Sequence, residues 1–450
     1  MGMTRRYTST GQGTERDSDG IGRSIGLANG QSRRRFLQTA GVGVAGMTGL
    51  AGCLGGGESG PETVRIGVLA PHTGKENPIG NSIARSVELA AEQRNEDGGV
   101  LGTDVDVIVE ETDGDPQTGK SKYEELTVGE SADVTIGLFT SEVLLNLMDS
   151  ISGQQTVHMT TGAATPEAAE MVAQDYESYK YWFRTGPVNA HYLGTNMVDF
   201  AEANFDDMGW DSVYVLSEDY AWTEPIDVVL EEELSDAGVE VVGSNRYAGG
   251  TEDFSPIYDQ VEASGADAAF VAMAHTGTTA IVQWAKQQRP FEFGGIHVPM
   301  QLPSYYSMVE GASRYGVTQD TSTPYAEKTE KTVPYANAFH EEVGMYPVYT
   351  GYIAFDAAKN YAAAVEEAGT TDSDAVVDAL ENMSYTGVAG LTKYYGQDAT
   401  YPHDVVYDKD AEDGLRPLWH QWQEKDDSGE QVTIYPDEVQ RGSYQKPPWI

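Results

Sequence analysis

The sequence is poor in cysteine, and this scarcity excludes several kinds of site. Its 450 residues contain a single cysteine, Cys53. One thiol can neither form a disulfide within the chain nor build a thiolate metal site. The eight histidines are scattered along the chain, so their spacing gives no local support for a metal cluster. We therefore expect no bound metal and no disulfide framework.

Sequence motifs of enzymes are also missing. Beyond the first 52 residues the chain has no H-E-x-x-H, no G-x-S-x-G and no G-x-G-x-x-G after a strand, the patterns that mark zinc hydrolases, serine hydrolases and dinucleotide-binding domains. His403 and Asp404 are adjacent and could form a dyad, but a hydrogen bond within a loop is the more common role of such a pair. We expect no catalytic residue and no cofactor.

Basic residues are few. The chain has 28 Lys and Arg against 71 Asp and Glu, and removing residues 1–52 leaves 21 basic and 68 acidic residues, a formal charge of −47. Such self-repulsion destabilises a compact state unless salt screens it. The acids are spread along the chain, which favours a halophilic surface over an acidic tail. The charge argues against nucleic acid and anionic lipid headgroups as partners.

No apolar run is long enough to predict a transmembrane helix. The uncharged run of residues 39–52, TAGVGVAGMTGLAG, follows the basic segment Ser32-Arg33-Arg34-Arg35-Phe36-Leu37-Gln38. A spanning helix needs about 20 predominantly apolar residues. A basic region, a short apolar region and small residues, in this order, are typical of an export signal. The basic segment resembles a twin-arginine signal, with Gln38 where lysine is usual.

The position of Cys53 indicates lipid attachment. Leu50-Ala51-Gly52-Cys53 resembles a lipobox, in which the cysteine is acylated and becomes the first residue. We expect residues 1–52 to be a signal peptide, residues 53–62 a flexible tether, and Cys53 an anchor on the outer face of the cell membrane. The alternative is an inert buried cysteine beside a chance cluster of arginines.

The rest of the chain alternates between short apolar runs and amphipathic stretches, which predicts an α/β fold with parallel sheets. The first series of predicted strands is 64–70, 105–111, 134–138 and 156–160, with helices at 80–95, 116–126, 142–151 and 166–172.

A second series follows Thr185-Gly186-Pro187. Its strands are 212–216, 239–244 and 268–273, with helices near 190–206, 223–237, 254–264 and 277–288. A helical block at 333–343, 352–368 and 373–383 then precedes β-like runs at 391–395, 418–423 and 432–435. Two doubly wound Rossmann-like lobes in tandem are predicted.

One motif points to a function that we reject. Residues 114–121, GDPQTGKS, match the G-x-x-x-x-G-K-[ST] loop that cradles nucleotide phosphates. Pro116 lacks the backbone N–H that such a loop needs, and the export signal places the chain where nucleoside triphosphate is scarce. Asp115 and Pro116 instead predict the N-cap and first residue of a helix.

A family resemblance spans residues 64–425. It rests on the order and spacing of short segments rather than on one motif: 64–74 (VRIGVLAPHTG), 98–102 (GGVLG), 113–116 (DGDP), 136–137 (IG), 183–185 (FRT), 217–220 (SEDY), 251–255 (TEDFS) and 265–270 (GADAAF). Together they resemble the solute-binding proteins of ABC importers for branched-chain amino acids and amides.

The resemblance implies the type I periplasmic binding protein fold, in which three crossovers join two lobes and the ligand lies in the cleft between them. It implies a first lobe of residues 63–185 with about 318–390 and a second lobe of residues 186–317 with about 391–435, followed by a tail at 436–450. The implied protein is a monomer that binds a small molecule and delivers it to permease and ATPase subunits.

Candidate ligand contacts in the first lobe lie where strands end. Thr140 and Ser141 follow a predicted strand and precede a helix, so their hydroxyls and free N–H groups would face the cleft. A plain N-cap needs the same geometry. The resemblance implies a second contact loop at Gly162, Ala163 and Thr165, although Thr165 fits only after a shift of one residue.

In the second lobe the resemblance implies contacts from Asp219, Tyr220 and Trp222, with Tyr220 as the aromatic contact. Two positions depart from the family. Ala274, followed by His275, stands where relatives have an aromatic residue, and Gln301 stands where they have a glutamate for the ligand's ammonium group.

The expected function is therefore an anchored solute receptor that performs no chemistry. The neutral Gln301 weakens the case for an α-amino acid and leaves branched-chain amino acids, amides, urea-like compounds and organic acids as candidate ligands. Two alternatives remain: an exported, cofactor-dependent enzyme and a sensory ligand-binding protein.

Overall fold

Two separate β-sheets, each flanked by helices, form the framework. The computed structural model describes residues 63–74, 76–425 and 428–450. The predicted signal peptide, the tether and Cys53 lie outside the described residues. Within them, no helix is both long enough and apolar enough to cross a bilayer.

The first sheet has five parallel strands in the order β2-β1-β3-β4-β5. Its strands are β1 Val64–Ala70, β2 Val105–Glu111, β3 Val134–Gly137, β4 Val157–Thr160 and β5 Trp182–Arg184. The helices among them are α1 Pro78–Glu96, α2 Pro116–Glu124 (continued by a π-helical turn, Glu125–Gly129), α3 Ser141–Gln154, α4 Glu167–Gln174 and α5 Tyr176–Tyr179. Strands β1, β3 and β4 are almost completely buried, as expected for a sheet covered on both faces.

The second sheet has seven strands in the order β14-β13-β10-β9-β8-β6-β7. Its parallel part contains β6 Ser212–Glu218, β7 Glu240–Tyr247, β8 Ala268–Met273, β9 Glu292–His297 and β10 Val317–Asp320. Its helices are α6 Ala190–Met208, α7 Glu224–Glu233, α8 Ser255–Ser264, α9 Gly277–Gln287 and α10 Tyr305–Met308, and a 3-10 turn, Val298–Gln301, follows β9.

After β10 the chain returns to the first sheet. Helices α11 Thr332–Val343, α12 Tyr349–Ala368 and α13 Ser373–Asn382 follow, and α12 packs on α1 while α13 contacts β4. A small hairpin, β11 Ser384–Thr386 with β12 Leu391–Lys393, comes next. The last strands, β13 Leu418–Lys425 and β14 Ser428–Tyr435, extend the second sheet in the antiparallel sense. The chain thus passes between the two sheets three times, near residues 185, 325 and 405.

The predicted fold class, an α/β fold with parallel sheets, is confirmed. Four of the described strands escape the sequence pattern, namely β5, β9, β10 and β11. The exact residue limits of the two lobes stay predictions. The tail after residue 435 contains a short 3-10 turn, Asp437–Val439, and it packs back on the body of the protein: Trp449 Nε1 donates to the carbonyl of Arg289 over 3.1 Å.

Candidate functional site

A cavity lies between the two sheets, at the carboxyl ends of their parallel strands. This is the position at which open α/β sheets bind ligands. The cavity encloses about 530 Å³ of empty space, a figure that includes solvent at its open mouth. Its walls consist of Phe139, Thr140, Ser141, Gly162, Ala164, Pro187, Leu193, Trp222, Ala274, His275, Ile296, Val298, Gln301, Gln319, Asp320, Thr321 and Tyr349.

The structure brings together seven of the eleven predicted contact residues. The cavity wall includes Thr140, Ser141, Gly162, Trp222, Ala274, His275 and Gln301. The first three come from the first sheet and the other four from the second, so a ligand in this cavity would touch both sheets.

Thr140 and Ser141 lie at the N-terminus of α3. Thr140 has extended backbone angles, and its side chain makes no capping hydrogen bond, so its hydroxyl is not committed to the helix. The hydroxyl of Ser141 accepts a hydrogen bond from Thr165 N over 3.2 Å. The N-terminus of α3, which is the positive end of its helix dipole, therefore belongs to the cavity wall.

Ala163 and Thr165 lie outside the cavity wall. Both are completely buried, and their carbonyl oxygens accept hydrogen bonds from the guanidinium of Arg184. Their visible role is to hold the loop that carries Gly162 and Ala164 against the end of β5.

Tyr220 and Asp219 lie outside the cavity as well. Tyr220 stacks on His275 with ring centroids 4.3 Å apart and lines a second, more open pocket together with Phe139 and His72. Asp219 is exposed and pairs with Arg246 over 3.1 Å. Tyr220 thus covers His275 on the outer side, whereas Trp222 reaches the inner wall.

Glu218, the last residue of β6, organises the aromatic side of the cavity and was missed by the sequence prediction. Its buried carboxylate accepts hydrogen bonds from His275 Nδ1 at 2.7 Å, His275 N at 2.9 Å and Trp222 Nε1 at 3.1 Å. Burial raises the pKa of Glu218, but hydrogen bonds and the charge of His275 outweigh it, so the pKa is lowered overall. Glu218 therefore fixes the orientation of two wall residues.

The opposite end of the cavity is polar, and it too includes residues that the sequence prediction missed. Gln301 Nε2 donates to the carbonyl of Gln319 over 2.8 Å, and Gln319 Nε2 donates to Asn196 Oδ1 over 2.7 Å. Asp320 ends β10 and is buried. No lysine or arginine is among the wall residues described for this cavity.

Two contacts cross the mouth of the cleft. Ala221 N donates to Glu142 Oε1 over 3.3 Å, and the rings of Phe139 and His275 are 5.6 Å apart. In each contact one residue follows a strand of the first sheet and its partner follows a strand of the second. Segments that follow strands of the two sheets therefore touch each other beside the cavity.

The chain matches a known protein family over most of its length. The family described as periplasmic binding protein matches residues 63–407. The chain belongs to this family. The expected resemblance to the leucine-binding type of solute receptor is confirmed.

Relatives agree with this assignment. The Leu/Ile/Val-binding protein homolog 3 of Brucella melitensis is 23% identical over 333 residues, covering 70% of this chain and 82% of the relative. The chemotactic signal transduction system substrate-binding protein BasB of Halobacterium salinarum is 27% identical over 329 residues, covering 72% of this chain and 75% of the relative. These relatives are binding proteins rather than enzymes.

Solved structures share the periplasmic binding protein fold. A putative branched-chain amino acid ABC transporter protein from Silicibacter pomeroyi superposes with a TM-score of 0.74 at 18% identity, covering 86% of this chain and 100% of that one. A solute-binding protein from Rhodopseudomonas palustris, crystallised with 3,4-dihydroxybenzoic acid, gives a TM-score of 0.69 at 18% identity, covering 86% and 99%.

The remaining candidate motifs have structural roles in this periplasmic binding protein. The carboxylate of Asp115 caps α2 by accepting hydrogen bonds from Gln117 N at 3.1 Å and Thr118 N at 2.8 Å, so the predicted helix start at Pro116 is confirmed.

His403 and Asp404 point to different partners. His403 Nε2 is 2.6 Å from Glu381 Oε1, whereas Asp404 pairs with Arg184. They form no dyad with each other.

One cluster among the described residues has the composition of a metal site. His72 Nδ1 is 3.4 Å from Asp113 Oδ1 and 3.8 Å from Glu111 Oε2, and all three residues are exposed. Exposed carboxylates are common on a chain this acidic, and the cluster lies outside the cavity.

Proposed function

We propose that this chain is the solute-binding protein of an ABC importer, held outside the cytoplasmic membrane by a lipid on Cys53. A single observation carries the binding role: a cavity bounded by residues of both sheets, at the carboxyl ends of their parallel strands. Family membership supports the importer role, since the relatives include Leu/Ile/Val-binding proteins. The ligand would stabilise the closed cleft by contacting both lobes at once.

The cavity suits a small molecule with an apolar body and polar ends. Trp222, Ile296, Val298 and Leu193 supply apolar surface, while Thr140 and Gln301 supply hydrogen-bonding groups at different ends. Solved structures of similar fold include a complex with isoleucine and complexes with 3,4-dihydroxybenzoic acid and 4-hydroxybenzoate. We infer a ligand of this size that carries at least one charged group.

The binding role is tested by thermal unfolding of the purified protein in molar salt against a panel of amino acids, amides and carboxylic acids. A ligand at 100 times its Kd stabilises the folded state by about 2.7 kcal/mol, and mass spectrometry should recover it unchanged. Ala274→Trp, which places an indole in the cavity wall, should abolish the shift. Ala203→Trp, on the exposed side of α6, should retain it. A shift that survives Ala274→Trp would contradict binding in this cavity.

Anchoring needs a separate experiment. In the native host, Cys53→Ser should release the protein from the membrane fraction into the medium, and mass spectrometry should find a lipid on Cys53 of the wild type. Replacing both Arg33 and Arg34 by lysine should block export if the twin-arginine route is used. An unmodified Cys53 in the membrane-bound protein would contradict the anchor.

A second function is favoured by one relative. BasB of Halobacterium salinarum is named as a substrate-binding protein of chemotactic signal transduction. The same cavity would then report ligand to a membrane-bound transducer. Deleting the gene distinguishes the two roles: loss of ligand uptake supports import, whereas loss of chemotaxis with normal uptake supports sensing.

A further inference from the structure

Asp320 places a carboxyl group with an unused acceptor at the polar end of the cavity. The residue is 1% exposed, and its Oδ1 accepts a hydrogen bond from Ser322 N over 3.3 Å. Its Oδ2 has no hydrogen-bond partner among the described residues. The nearest ring nitrogen, His420 Nδ1, is 3.9 Å away, which is too long for a hydrogen bond.

Gln301 adds a second unused acceptor at the same end. It is 7% exposed, and its Nε2 is committed to the carbonyl of Gln319, which directs the amide so that Oε1 remains without a partner. Buried acceptors without donors are uncommon in native proteins. Both residues belong to the wall of one cavity, so an occupant of that cavity is a candidate source of the missing N–H groups.

No lysine or arginine among the described residues forms an ion pair with Asp320. Lys328 is half-buried, its Nζ donates to the carbonyls of Thr321 at 2.8 Å and Arg416 at 2.7 Å, and it does not line the cavity. His275 stands on the aromatic side of the cavity, paired with Glu218. A ligand bearing only a carboxylate would thus find no lysine or arginine among the wall residues.

We propose that Asp320 and Gln301 bind the ammonium group of the ligand, and that the N-terminus of α3 at Thr140 and Ser141 receives its carboxylate. This inference rests on the binding function proposed above and names its ligand class: amino acids, rather than organic acids or neutral amides. Asp320 thereby supplies the negative charge that Gln301 lacks, from the end of a neighbouring strand of the same sheet.

The charges around Asp320 agree with this role. Burial raises the pKa of Asp320 well above its usual range, opposed by the backbone N–H groups of Ser322 and Thr321 and by the charge of Lys328. His420, Tyr349 and Tyr352 also face the carboxyl group. An ammonium group beside Asp320 favours its ionised form. Binding of an amino acid should therefore release a proton when the empty site is protonated.

The test is isothermal titration calorimetry of the full chain in molar potassium chloride with two matched series. The first is L-leucine, 4-methylpentanoate and isoamylamine; the second is L-phenylalanine, 3-phenylpropanoate and phenethylamine. Within each series the body stays similar while the ammonium or the carboxylate is removed. We expect the better-fitting amino acid to bind at least tenfold more tightly than its carboxylate analogue.

Two variants locate the effect. Asp320→Asn should weaken binding of the amino acid at least tenfold and change binding of the carboxylate analogue less than threefold. Gln301→Glu, which keeps the volume and adds a charge, should strengthen binding of the amine and weaken that of the carboxylate analogue. Asp106→Asn removes an equal charge from an exposed position of β2 and should leave every affinity unchanged.

The outcomes separate this inference from the proposed function. Carboxylate analogues that bind as tightly as amino acids, or an Asp320→Asn variant with unchanged amino acid affinity, would overturn the ammonium site and leave the binding function standing. No heat of binding from any of the six compounds, together with no thermal shift from the wider panel, would overturn both. If Asp320→Asn fails to fold, the opposite responses expected of Gln301→Glu still decide.

Discussion

Replacing Arg184 by methionine removes one partner of a completely buried ion pair. Neither side chain of the Arg184–Asp404 pair is exposed to solvent. The guanidinium also donates to the carbonyls of Ala163 and Thr165, so it joins the loop behind the cavity to the segment around residue 404. The variant leaves these carbonyls without donors and the Asp404 carboxylate without its cation.

The expected loss of stability is large. Breaking a buried ion pair by removing one partner costs about 3–5 kcal/mol. Asp404 keeps only one side-chain donor, Asn189 Nδ2 at 2.6 Å. By contrast, an exposed ion pair contributes about 0–1 kcal/mol. Lys393→Met is the matched control, because Lys393 Nζ pairs with the exposed Asp413 over 2.6 Å.

The assay is urea-induced unfolding at constant molar salt, followed by tryptophan fluorescence. Arg184→Met should lower the free energy of unfolding by about 3–5 kcal/mol, and Lys393→Met by less than about 1 kcal/mol. The double variant Arg184→Met with Asp404→Leu should recover part of the loss, because it removes the unpaired charge. Equal effects of the two single variants would refute this account of the loop behind the cavity.

Three further predictions concern stability. Burial lowers the pKa of His158 to about 3. Below about pH 6.5 the unfolded chain binds a proton at this histidine that the folded state does not bind, so the free energy of unfolding should decrease as the pH falls, and His158→Gln should reduce this pH dependence by about 1.4 kcal/mol per pH unit. An unchanged pH dependence would argue against the prediction. Gly137 has φ +135°, and an added Cβ would lie 2.1 Å from the carbonyl oxygen of Leu69, so Gly137→Ala should lower the free energy of chemical unfolding by about 1–3 kcal/mol or more. In the control Gly153→Ala the added Cβ meets nothing within 4 Å, and the free energy of unfolding should rise by about 0.5–1 kcal/mol. Similar effects of the two variants would contradict the prediction. Finally, the charge of −47 on residues 53–450 predicts a higher thermal midpoint in 1 M than in 0.1 M salt, since the Debye length falls from about 10 Å to about 3 Å; a midpoint independent of salt would contradict the halophilic surface.

The regular part of the fold could be predicted from sequence because apolar residues recur with different spacings in buried strands and in amphipathic helices. Strands β1, β2 and β8 have the predicted limits. Strand β8 is a continuous apolar run and β1 is apolar except at Arg65, whereas β2 combines four apolar residues with Asp106, Glu110 and Glu111. The predicted helices agree with the observed ones to within a few residues at each end. In these segments the positions that the local sequence pattern marks as apolar are largely the positions that the fold buries.

The missed strands have residues that local pattern does not assign to a core. Strand β5 ends in Arg184, a charged residue whose buried partner, Asp404, lies 220 residues further along the chain. Strand β9 contains Gly294 and Gly295, and β10 reads Val317-Thr318-Gln319-Asp320. Their burial depends on neighbouring strands and on the return of the chain between sheets, which no short window of sequence contains.

Residues of the cavity wall were predictable where they follow a recognised strand. Thr140 and Ser141, which line the cavity, could be placed because β3 and α3 are both evident in the sequence; that they bind a ligand stays a prediction. Asp320 was missed because β10 was missed. Glu218 was passed over for Asp219 and Tyr220 because β6 continues two residues beyond its predicted end, and its last residue points inward. A polar residue at the end of a strand is missed when the sequence pattern does not show where that strand ends.

The central claim is that a small ligand occupies the cavity between the two sheets. Its most direct test is a crystal structure of the protein grown with the compound that stabilises it most. We predict electron density between the N-terminus of α3 at Ser141 and the side chains of Gln301 and Asp320. An empty cavity, with the compound bound elsewhere on the protein, would contradict the account.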